Sequence, residues 1–198
     1  MNKRAPTKPL PPLDYLHECL EYDTATGSMT WRERPVHHFK DNARFTKEQV
    51  CAMWNTQYCG KRAGSVVKRG YVTLTIDNEL YLGHRVAFKM ATGMEPSLSV
   101  DHVNGIRNDN RVCNLRLATH GEQMKNKTMS EANKSGVTGV YYLPKVSKRK
   151  PWLANGRANG VYTYLGHFPT LLEAAAVRKS WEVENGFSDR HGKALKVG

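Results

Sequence analysis

No two of the four cysteines, Cys19, Cys51, Cys59 and Cys113, stand at C-x-x-C spacing. Neither a zinc knuckle nor a disulfide framework is indicated, and the thiols are expected to be reduced, with Cys113 packed under a hairpin. No apolar run approaches the roughly 20 residues of a membrane-spanning helix, and the basic, proline-bearing N-terminus lacks the apolar stretch of a secretion signal. A cytosolic protein with no membrane partner is the expectation. Acids are scarce as well: 18 Asp plus Glu stand against 30 Lys plus Arg, a formal charge of +12. Such an excess steers a protein toward phosphate and makes binding depend on salt, although it serves solubility equally.

At 198 residues the chain can hold one core or two small ones, and the pattern favours two. Residues 1 to 12 read as a flexible basic lead. Leu13, Leu16 and Leu20 have helical spacing. A short hairpin is expected over 23 to 35, turning at Thr26-Gly27, and a short helix over Lys47 to Trp54. His37-His38 has no second cluster at metal-ligand spacing and reads as surface. Tyr71 to Ile76 and Leu80 to Leu82 alternate around Asp77-Asn78-Glu79 as a hairpin. A helix from His84 to Thr92 follows, stopped by Gly93 and Pro96; His84 reads as a packing residue outside any site.

Most of the chemistry is concentrated in one run, Val100-Asp101-His102-Val103-Asn104-Gly105 through Asn114-Leu115-Arg116. A hard carboxylate suits a divalent cation, and an imidazole accepts a proton near neutral pH. Leu98 to Val100 should enter as a strand, residues 104 to 110 reverse the chain, and Val112 to Leu117 return. Thr119-His120-Gly121-Glu122 then has capping-box spacing. Adjacent strand residues point to opposite faces, so Asp101 and His102 share a site only if the strand ends or bulges there. A polar loop in a structural hairpin would show the same residues.

The run matches the HNH signature, and the chain resembles phage-type HNH endonucleases of the homing-endonuclease group. Tyr22 to Trp31, Cys59 to Ser65, Arg69-Gly70-Tyr71 and His84-Arg85-Val86-Ala87 carry the same resemblance. It implies a ββα-metal core over about 98–130. In that family the acid ligates a metal ion, the next histidine is the general base, an asparagine twelve residues on orients it, and an asparagine twenty-one residues on completes the metal site. Those positions here are Asp101, His102, Asn114 and Gln123. Gln123 departs from the pattern: its carboxamide sits on an arm longer by one methylene, a looser geometry for magnesium. Asn126, one turn further on the same face, ranks second. The resemblance implies a divalent cofactor, Mg2+ or else Mn2+, and no zinc. Arg116 and Lys125 are candidates for phosphate contacts.

Beyond a linker at Asn133-Lys134-Ser135-Gly136, three short strands are expected over 138 to 143, 152 to 157 and 161 to 165. Asn159-Gly160 supplies the turn between the last two. Thr170-Leu171-Leu172-Glu173 caps a helix that ends at Asn185-Gly186. Gly139-Val140-Tyr141, Trp152-Leu153-Ala154, Tyr164 to Thr170 and Glu173-Ala174-Ala175 resemble the ethylene-response-factor (APETALA-type) DNA-binding domain. That resemblance implies DNA contacts by Tyr141, Asn155, Arg157, Tyr162 and Tyr164. Lys148, Arg149 and Lys150 form a basic loop suited to phosphate. Cross-strand packing of the tyrosines is the competing reading.

The sequence therefore predicts an α+β protein: a lead (1–12), an HNH nuclease domain (13–132), and a C-terminal three-stranded sheet packed on one helix (133–198). The expected activity is metal-dependent hydrolysis of phosphodiester bonds in double-stranded DNA by a monomer, with a dimer as the other option. Its location would be host cytoplasm if a phage encodes it. The alternative is a DNA-binding protein that has lost cutting, for which Gln123 is the internal hint.

Overall fold

The computed structural model describes residues 8–193. The fold is α+β, and it separates into two compact units, one ending at Leu117 and the other beginning at Ala118.

The first unit opens with α1 (Leu13–Cys19), which runs directly into β1 (Leu20–Tyr22), paired antiparallel with β2 (Met29–Trp31). Leu20, expected on the helix, thus begins a strand; the hairpin spans 20–31 rather than 23–35, and its turn holds the expected Thr26-Gly27, with Gly27 at φ +75°. A 3-10 turn (Val36–His38) and α2 (Lys47–Tyr58) follow, the latter opened by a Thr46–Gln49 capping box. Next come β3 (Ser65–Val66), β4 (Val72–Ile76) and β5 (Glu79–Leu82), an antiparallel sheet in the order β3-β4-β5. Asp77 and Asn78 both have positive φ (51° and 64°), the geometry of a type I′ turn that matches strand twist. α3 (Gly83–Thr92) is capped by left-handed Gly93, and then β6 (Ser99–His102) pairs with β7 (Leu115–Ala118).

Two apolar clusters hold this unit. Leu16, Leu20, Met29, Leu74, Ile76 and Val86 join α1, the first hairpin, the sheet and α3. Ala87, Phe88, Val100 and Leu115 pack the next face of α3 against the β6–β7 hairpin. α3 is therefore buried on two sides, which is why its polar residues His84, Arg85 and Lys89 are buried too.

Of the flexible lead expected over 1–12, residues 1–7 lie outside the described residues, and residues 8–12 are tied down. Leu10 is buried, its N–H donates to Glu95 Oε1 (3.2 Å), and the Lys8 carbonyl accepts from Arg85 Nη1 (2.8 Å). Cys113 is exposed rather than packed under the hairpin; the 3-10 turn Val112–Asn114 directs it outward.

The second unit contains α4 (His120–Lys125), opened by the Thr119–Glu122 capping box. After it come β8 (Val140–Tyr142), β9 (Trp152–Ala158) and β10 (Val161–Phe168), a sheet in the order β8-β9-β10, and α5 (Leu171–Glu184) with its Thr170–Glu173 box. Val140, Ala154 and Ala174 form the core between sheet and α5. Val161 shares the helix-side parity of Leu165 but is exposed, since it lies at the far end of its strand. Small residues permit the close approach: a Cβ on Gly156 would lie 2.5 Å from the Trp181 ring. Gly156→Ala is expected to destabilise the protein by about 1–3 kcal/mol through overpacking, read as a lower urea midpoint at unchanged slope.

Candidate active site

β6 delivers Asp101 and His102, and it ends there: the Gly105 N–H donates back to the His102 carbonyl (2.9 Å), with Gly105 at φ +72°. Ending the strand does not bring the two side chains to one face. Asp101 stays half-buried, 3.3 Å from Arg116 Nη2 on the neighbouring strand, whereas His102 turns inward and is 3% exposed.

The His102 ring is fixed by a residue the motif reading did not single out. Asn110, 1% exposed, places its Oδ1 3.2 Å from His102 Nε2. A carboxamide oxygen only accepts, so Nε2 carries the proton and Nδ1 the lone pair. Burial holds the imidazole pKa below its ordinary value. The ring is thus neutral at pH 7, as a general base must be.

Asn114, expected to hold the imidazole through its second nitrogen or through the backbone, closes the loop that carries Asn110. Its Oδ1 accepts from the Asn104 N–H (2.9 Å), its Nδ2 donates to the Asp109 carbonyl (2.8 Å), and its own carbonyl accepts from the Val103 N–H (2.9 Å). Asp109 adds a two-pronged pair with Arg111 (2.8 and 2.7 Å) and accepts from Asn104 Nδ2 (2.6 Å). Arg111 is the main reason its carboxyl pKa falls to about 2.

The N-terminal hairpin supports the same loop from behind. The Tyr22 hydroxyl donates to the Asn110 carbonyl (2.7 Å), and the Val112 N–H donates to the Thr24 carbonyl (3.2 Å). Gly27, at φ +75°, lies so close that a Cβ would stand 2.5 Å from the Arg111 nitrogen. On the other side His84, set aside as packing, meets His102 edge to face with centroids 5.1 Å apart. Tyr71 lies 5.3 Å from His84 and 6.1 Å from His102. His84 is 5% exposed, its Nδ1 has no hydrogen-bond partner among the described residues, and burial pushes its pKa down to about 3.

The remaining expected site residues belong to the second unit. Gln123 is on α4, in the unit that begins at Ala118. The Asn126 side chain is buried and its Oδ1 accepts from the Ser188 hydroxyl (3.0 Å), a structural engagement. On the C-terminal sheet Asn155 pairs with Tyr164, Arg157 with Tyr162 and Tyr141 with Leu153, so the five expected DNA contacts share the face away from α5. Tyr141, Arg157, Tyr162 and Tyr164 are exposed there, as are Lys148, Arg149 and Lys150 in the β8–β9 loop.

A second cluster has the composition of a metal site. Glu18, His37 and His38 bring three ligand atoms within 4.8 Å of one another. The His38 side chain is buried, not at the surface as expected, and its Nδ1 accepts from Arg34 Nε (3.1 Å). Its Nε2 therefore bears the proton and donates to Glu18 (2.6 Å). A ring nitrogen so protonated has no lone pair for a cation, and the cluster reads as a structural relay.

Two outcomes follow. Gly27→Ala combines left-handed strain with a backbone collision; the thermal transition should drop, and hydrogen exchange at the Val112 amide should speed up as its bond to Thr24 is lost. For His84, the folded state stays neutral while the unfolded chain takes up a proton below about pH 6.5. Stability should fall as pH drops from about 6.5 toward 3, and His84→Gln should flatten that part of a plot of melting temperature against pH.

Residues 81–125 match the family model for HNH endonucleases. No curated protein and no solved structure matches the chain. Among the described residues, no helix is long and apolar enough to cross a membrane. The family match spans α3, both strands of the Asp101–His102 hairpin and α4, and it supports an HNH nuclease acting on DNA.

Proposed function

We propose that the chain is a metal-dependent endonuclease that hydrolyses phosphodiester bonds in double-stranded DNA, with His102 as general base. The observation that carries this reading is the neutral, buried His102, whose tautomer is set by Asn110. His102 Nδ1 takes a proton from water, the oxygen attacks phosphorus in line, and the P–O3′ bond breaks as the 3′ oxygen departs and is protonated by solvent. Asn110 keeps Nε2–H engaged throughout, so the ring cannot turn its protonated nitrogen toward the water. Asn114 acts one step further back, by keeping Asn110 in register.

The donor set suits a hard divalent cation, Mg2+ or Mn2+, rather than zinc: Asp101 offers a carboxylate, and Gln123 is named as second donor by motif spacing alone. Such an ion, when bound, neutralises charge on the leaving oxygen and the scissile phosphate. Arg116, now paired with Asp101, lies within reach of the same charge.

The C-terminal sheet provides the grip in this proposal. Tyr141, Asn155, Arg157, Tyr162 and Tyr164 face DNA, and Lys148, Arg149 and Lys150 meet phosphates; the shared face and the resemblance to the ethylene-response-factor domain support this. With one base per chain, a monomer nicks one strand. A phage homing role is the biological setting the sequence resemblance favours. The Asp101–Arg116 pair favours a second reading, a DNA-binding protein without cleavage, because it occupies the carboxylate.

Supercoiled plasmid with Mg2+ or Mn2+ distinguishes the two. Metal-dependent nicking is expected, reduced at least about a hundredfold in His102→Ala and abolished by chelation. DNA binding with no nicking in any metal would leave only the second reading.

A further inference from the structure

On the second face of the β3–β4–β5 sheet Thr75 and Leu80 are exposed while Thr73 is buried. Leu74 and Ile76 point into the core, whereas Thr73 and Thr75 point the other way, with Ser65 paired to Thr73 and Leu80 to Thr75. Opposite this face stands α2, of whose residues only Cys51 is buried and which Asn55 and Trp54 hold to Arg34 and Trp31. Between them lies a cleft of about 1080 Å³.

Three properties of the cleft point to one occupant. Its far wall is aromatic: Tyr58, 37% exposed, lies 5.1 Å from Trp54, whose own ring is covered by Arg34 at 5.0 Å. Its free charge is positive, since Lys40 and Arg62 are exposed along it while its one carboxylate, Asp77, is already neutralised by Arg34 (2.7 Å). Its near wall carries Ser65 and Thr75, both exposed. Rings for stacking, cations for phosphate and hydroxyls for base edges are the combination that holds unpaired nucleotides. Bases in a duplex hide their faces in the stack, so this wall offers nothing to intact double-stranded DNA. The volume exceeds the roughly 300–1,000 Å³ of a small-molecule pocket, room for more than one nucleotide.

We propose that this cleft binds a single-stranded nucleic-acid segment, with a base against Tyr58 and the backbone along Lys40 and Arg62. The inference rests on the nucleic-acid reading above but not on cleavage, so it is tested with the full chain in chelator. Fluorescence anisotropy would follow a labelled oligothymidylate of about a dozen nucleotides and, in parallel, a blunt duplex. Tyr58→Ala should weaken oligothymidylate binding about tenfold and leave the duplex unaffected, and Arg62→Ser should weaken it and flatten its salt dependence. Trp54 is left intact because it packs on Trp31. Should Tyr58→Ala fail to fold, Arg62→Ser alone decides. Because chelator suppresses cleavage, an inactive nuclease would leave this binding result standing, which separates the two. Unchanged oligothymidylate affinity in the folded variants, or equal losses on oligonucleotide and duplex, overturns the proposal.

Discussion

The contact between Asn110 and His102 is the constraint on which the candidate site depends. An imidazole serves as a base only if it is neutral, presents a lone pair and keeps its orientation. One carboxamide oxygen, itself buried, provides the last two, and burial of the ring provides the first. Everything around the loop from residue 103 to 113 maintains that contact. Asn114 ties the loop ends together, Asp109 and Arg111 brace its middle, and the Tyr22–Gly27 turn presses on it from behind.

This arrangement gives the N-terminal hairpin a purpose. Its residues touch none of the proposed reacting groups, yet Tyr22, Thr24 and Gly27 all reach the backbone at or beside Asn110. The same logic applies to α3. Its Phe88 face supports the hairpin through apolar packing, and its His84 face closes a ring of aromatic contacts around His102. A buried neutral histidine beside another is an acid-labile device, since a proton on either one would lie in an environment that solvates it poorly.

Charge is distributed with the same economy. Buried cations in the first unit are paired, as Arg34 with Asp77 and both Arg85 and Lys89 with Glu95. Among the described residues, cations outside any ion pair lie on exposed segments such as the β8–β9 loop, at Lys148, Arg149 and Lys150. Charge placed there is open to counterion release on nucleic acid.

Local signals in the sequence determined the element order. The capping boxes at Thr119 and Thr170, the Asp77-Asn78 and Asn159-Gly160 turns, and Gly93 as a helix stop act over a few residues, so they can be read without the fold. The Asp101-His102 pair was legible for the same reason. Only tertiary structure decided which side chain holds the imidazole, because Asn110 and Asn114 offer the same chemistry and differ only in where the loop aims them. It also drew His84 against His102 across eighteen residues of chain and buried His38 beneath Arg34. Spacing along a chain fixes periodicity, but contacts between distant segments depend on how the cores pack, and sequence alone does not carry that geometry.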